Sequence, residues 1–60
     1  MPMVKFTLSD GIPIWIDPDK VVAVHRRERV TGIHIDVDSY WSVDEEVEDV
    51  VAKIEEAKER

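Results

Sequence analysis
Sixty residues with a formal charge of −6 and no cysteine leave room for one domain, exclude disulfide support and argue against the basic footprint of a nucleic-acid binder. No apolar run reaches the ~20 residues of a membrane span, and Met1-Pro2-Met3-Val4-Lys5 does not read as a signal peptide. A chain of this length gains roughly 90 kcal/mol from apolar burial against an ordering cost of about 90, so a lone monomer is expected near the limit of stability.

Met3-Val4-Lys5-Phe6-Thr7-Leu8 alternates, which predicts a strand with Val4, Phe6 and Leu8 on one face. Ser9-Asp10-Gly11 is turn chemistry, because Asp-Gly tolerates the positive φ of a tight hairpin. Ile12-Pro13-Ile14-Trp15-Ile16 alternates next, with the three isoleucines expected inward and Pro13 and Trp15 outward. A proline cannot donate to a ladder, so part of this strand is expected to lie at an edge. Asp17-Pro18-Asp19-Lys20 predicts a short helical or type I turn, and Val21-Val22-Ala23-Val24 a third strand. His25-Arg26-Arg27-Glu28-Arg29 reads as a charged connection. A fourth strand is expected over Thr31–Val37, with Ile33, Ile35 and Val37 on one side. A fifth is expected over Tyr40–Val43, with Trp41 and Val43 inward.

From Asp44 the period changes from 2 to 3.6, and Val47, Val50, Val51, Ile54 and Ala57 form one helical stripe. Ser42 with Glu45 has capping-box spacing, and Asp44 is a rival N-cap. Asp49→Lys53 and Glu56→Arg60 are i,i+4 pairs in the favourable order. The expected fold class is α+β: about five short antiparallel strands in a bent, partly barrel-like meander, with one C-terminal helix packed on the sheet. All of it belongs to one domain over residues 1–60.

Charge is distributed unevenly. Residues 1–35 sum to +1 and residues 36–60 to −7, which favours solubility and a basic protein partner over nucleic acid. Arg26, Arg27 and Arg29 could contact phosphates from a hairpin tip, but Glu28 and the acidic helix oppose that use. His34, Asp36 and Asp38 fall at i, i+2 and i+4. With His25 from the neighbouring strand they could supply nitrogen and oxygen ligands to a metal. An ordinary solvated face is the simpler reading, and no cofactor is expected. There is no Ser/His/Asp order, no Gly-rich phosphate loop and no cysteine nucleophile, so an enzyme is not expected. The compartment expected is the cytoplasm.

Trp15 is the most informative residue. If Ile12, Ile14 and Ile16 face the core, Trp15 and Pro13 face away from it, and parity puts Met3 and Tyr40 on the outer side of their own strands. Large apolar and aromatic groups gathered on an outer face mark an interface. The expectation is a homo-oligomer assembled through Met3, Pro13, Trp15 and Tyr40. The alternative is a sheet that curls until these groups meet within one chain.

Three stretches together carry a family likeness. Met3-Val4-Lys5-Phe6-Thr7 leads into Leu8-Ser9-Asp10-Gly11. Asp17-Pro18 opens an Asp-Pro-x-x-Val-x-x-Val run to Val24, and a hydrophobic, Glu-containing helix entry spans Trp41–Val51. The chain thereby resembles the small FlbD-like (SwrD-like) proteins found among bacterial flagellar genes, along nearly its whole length. It departs from them at Asp10-Gly11, where Asn-Gly is common, and at Glu46, where Ser or Thr often stands. The second departure moves the expected N-cap upstream to Ser42 or Asp44. The resemblance implies a non-enzymatic motility accessory protein acting by contact, and it assigns no site residue.

Overall fold
The computed structural model describes residues 3–59. Among these the chain forms five antiparallel strands and one α-helix. The first two alternating segments become strands β1 (Val4–Thr7) and β2 (Pro13–Ile16), paired Val4↔Ile16, Lys5↔Trp15, Phe6↔Ile14 and Thr7↔Pro13. The turn between them closes through Leu8 N–H to Ile12 O and Gly11 N–H to Leu8 O, both 2.8 Å. Gly11 has φ +93°, a conformation that side chains disfavour. The Asp10 carboxylate accepts from Ile12 N–H at 3.1 Å. Ile16 is buried and Ile14 half-buried, as expected. Ile12 is instead 56 % exposed, because it lies in the turn, before the first paired residue of β2.

A 3₁₀ turn, Pro18–Lys20, follows, with the Asp17 carboxylate capping Asp19 N–H. Val21 caps this turn, so the third strand starts later than its apolar run suggested. Strand β3 is Ala23–Arg27, and β4 is Val30–His34. The expected charged connection shrinks to Glu28 and Arg29. An edge strand tolerates charged residues that a central strand would have to bury. Glu28 takes φ 54°, the positive value that a two-residue hairpin demands at its first central position. The fourth strand ends early: Ile35 N–H turns back to Ser39 O at 3.1 Å, and Val37 is 89 % exposed in the bend.

Strand β5 is Tyr40–Val43. Val43 is fully buried, whereas Trp41, expected inward, is 41 % exposed. The helix α1 (Val47–Lys58) packs against β1, β3 and the 3₁₀ turn, which leaves the Trp41 end of β5 without cover. The strands form two sheets, β1-β2 and β3-β4-β5, and not one continuous meander. A Leu8↔Val43 bridge, Ser9 N–H to Ser42 O at 3.0 Å and Asp44 N–H to Thr7 O at 2.9 Å join β5 to the end of β1. β2 and β3 do not pair, so the barrel stays open.

The helix also begins later than its sequence suggested. Its N-cap is Glu46, without a side-chain capping bond, and neither Ser42 nor Asp44 takes that role. Asp44 N–H is committed to β1, and Glu45 spends its carboxylate on Thr7 N–H, 3.1 Å from each oxygen. Val50 and Ile54 are the buried part of the stripe, with Ala57 packed beside them and Val51 exposed. Lys53 turns away from Asp49 and toward the sheet, reaching Lys5 O at 3.3 Å and Glu45 Oε2 at 4.0 Å. The expected Glu56→Arg60 pair involves Arg60, outside the described residues. The core comprises Val4, Phe6, Ile16, Ile33, Val43, Val50 and Ile54. Beside it Thr31, also buried, donates its hydroxyl to Glu45 O at 2.6 Å. No helix among the described residues is long and apolar enough to cross a membrane.

Candidate interaction surface
The outer face of β1-β2 is built by strand parity. With Val4, Phe6, Ile14 and Ile16 turned to the core, the alternate positions Lys5, Pro13 and Trp15 look outward. Trp15 is 54 % exposed and Met3 51 %. The Lys5 ammonium stands 5.7 Å from the Trp15 ring, a cation–π contact that covers part of the indole and leaves the rest to solvent. The hydrogen bond from Leu8 to Ile12 fixes the phase of the ladder. In antiparallel alternation the backbone groups of Pro13 and Trp15 therefore face the edge of β2 away from β1. No strand among the described residues occupies that edge. Proline blunts it by removing a donor.

Tyr40 is also exposed, at 44 %, but it belongs to the other sheet and to a different cluster. His34 stacks on its ring at 5.1 Å between centroids. Arg27 lies over the same ring at 5.4 Å and donates to the phenol oxygen at 3.2 Å. His25 continues the row, with its Nε2 2.8 Å from Nε2 of His34. Register explains the approach. His25 pairs with Gly32 and His34 with Ala23, so the imidazoles meet diagonally across the space that a side chain at position 32 would fill. A Cβ on Gly32 would stand 2.8 Å from His25 Nε2.

The proposed metal set is brought together only in part. His25 and His34 meet, but Asp36 and Asp38 lie in the bend after β4, where the Asp36 carboxylate takes Val37 N–H. Among the described residues no group of three or more His, Cys, Asp or Glu side chains could hold a metal. The three arginines likewise do not converge. Arg26 pairs with Glu46 at 3.0 Å, Arg27 packs on Tyr40, and Arg29 sits in the turn. Adjacent strand positions point to opposite faces, which separates Arg26 from Arg27.

Sequence reasoning placed Trp15 and Met3 on a surface, and both are exposed. It missed the joining of His34 to Tyr40 and the role of Gly32. The available signal was a glycine inside a strand, which marks a close approach. No family model matches the chain, and neither a curated protein nor a solved structure does.

Proposed function
We propose that this chain is a non-enzymatic protein–protein interaction module that self-associates through the outer face of the β1-β2 hairpin, centred on Trp15. The observation that carries the reading is an indole 54 % exposed in mid-strand, with Met3, just before β1, also 51 % exposed. Tryptophan in that position contributes most when its face is desolvated by a partner. Pro13 at the free edge disfavours strand addition, so the copies would pack face to face. Tyr40, in the other sheet and held by His34 and Arg27, lies outside this face. The small calculated margin of a lone monomer points the same way. The resemblance to FlbD-like proteins extends the proposal to an accessory role in bacterial motility, with the cytoplasm as its compartment.

Sedimentation equilibrium over 10 µM to 1 mM provides the test. A dimer or larger species is expected for the natural chain. Trp15→Glu should remain monomeric with an unchanged far-ultraviolet circular dichroism spectrum, since a charge is costly at a desolvated interface centre and harmless on a wet face. A natural chain that is monomeric throughout that range removes the proposal.

A further inference from the structure
We propose that His25 and His34 form a two-imidazole site for a divalent transition metal of tetragonal preference, Ni²⁺ or Cu²⁺, with water completing the coordination. The pair lies on β3 and β4, in the sheet that does not contain Trp15. It stands independently of the self-association reading.

Geometry carries the assignment. With metal–nitrogen bonds of about 2.0–2.1 Å, two nitrogens at a right angle on one metal stand about 2.9 Å apart, and two at the tetrahedral angle about 3.4 Å apart. The His25 and His34 Nε2 atoms are separated by 2.8 Å. The same bond lengths put the ring centroids about 4.5 Å apart at a right angle and about 5.2 Å apart at the tetrahedral angle. The observed separation is 4.8 Å, with the rings tilted by 35°. The nitrogen separation fits a cis chelate near 90°, which suits tetragonal Cu²⁺ and Ni²⁺, while the centroid separation falls between the two geometries. Tetrahedral Zn²⁺ would require the nitrogens to open by roughly half an ångström.

The surroundings hold the pair in place. Gly32 leaves His25 room to lie across the strand, and stacking on Tyr40 fixes the ring of His34. Without metal, one Nε2–H donates to the other ring's Nε2. A metal takes both Nε2 lone pairs once the donor ring carries its proton on Nδ1 instead, so the neutral pair needs to lose no proton.

The experiment uses the full chain without an affinity tag, in buffer free of chelators, with NiCl₂ or CuCl₂ as the probe. At ten times the dissociation constant the melting temperature should rise by on the order of 5–10 °C. Paramagnetic Cu²⁺ should broaden amide signals first at His25, Gly32 and His34. His25→Gln and His34→Gln should each abolish the response. Gly32→Ala keeps both imidazoles but displaces one, and should weaken binding at least tenfold. Asp36→Asn combined with Asp38→Asn should leave binding unchanged, and Zn²⁺ should bind more weakly than Cu²⁺. The broadening map needs no variant, so it stands even if a histidine substitution unfolds the chain. Absence of a melting shift in the natural chain, or broadening centred on the acidic helix, overturns the assignment. So does undiminished binding in either histidine variant or in Gly32→Ala, or loss of binding in the double aspartate variant.

Discussion

The Glu45 carboxylate accepts Thr7 N–H with both oxygens, 3.1 Å each, while its backbone oxygen takes the Thr31 hydroxyl at 2.6 Å. One residue therefore ties the free side of β1 to β4 and to the entry of the helix. Its side chain is 20 % exposed, so water cannot fully replace it. Glu45→Ala leaves a part-buried N–H without its acceptor, which costs about 1–2 kcal/mol. In a chain of this size that corresponds to a melting temperature lower by roughly 5–15 °C. Glu45→Gln keeps one acceptor oxygen and should lose less than half as much. Thermal melts followed by circular dichroism check both, and equal losses for the two variants would refute the hydrogen-bonding account.

At the scale of the element, the helix starts with a defect that substitution can repair. Glu46 occupies the N-cap without a capping bond, its carboxylate drawn instead to Arg26 at 3.0 Å. That ion pair has both side chains more than half exposed and contributes at most about 1 kcal/mol. A serine cap contributes about 1 kcal/mol, up to ~2. Glu46→Ser should therefore raise stability modestly, by up to about 1 kcal/mol, read as a few degrees in melting temperature. A lower melting temperature would show that Arg26 and Glu46 matter more to the helix entry than the missing cap. The helix needs packing as well as capping, because it holds its place through Val50 and Ile54 against the sheet. Twelve residues are marginal for an isolated helix in water.

At the scale of the whole molecule, the described residues bury a core of seven hydrophobic side chains, which is small, and leave Met3, Ile12, Trp15 and Trp41 exposed. If association through Trp15 supplies part of its stability, that stability depends on concentration. The melting temperature of the natural chain should rise by about 3–6 °C for each tenfold increase in protein. Trp15→Glu should show no such rise. A concentration-independent melt in the natural chain would separate folding from assembly and leave the core to stand alone.

Strand and helix identities were legible in the residues because alternation and the 3.6-residue stripe are local properties. Val4 with Phe6, Ile14 with Ile16, and Val50 with Ile54 each declare an inner face within one short window. The boundaries were not legible, because partners set them. Val21 is taken by the 3₁₀ turn, Asp44 by β1, and Arg26 and Arg27 are drawn into β3 by pairing with β4. The candidate surface followed the same division, since parity alone turned Trp15 outward while the sheet to which Tyr40 belongs was a matter of topology. By itself, then, the sequence determined the α+β class, the turn at Gly11 and the outward indole. Only the tertiary structure decided that the strands split into two sheets, that Glu45 serves β1 and that His25 meets His34 over Gly32. Those outcomes depend on register between segments distant along the chain, and no local pattern of residues encodes it.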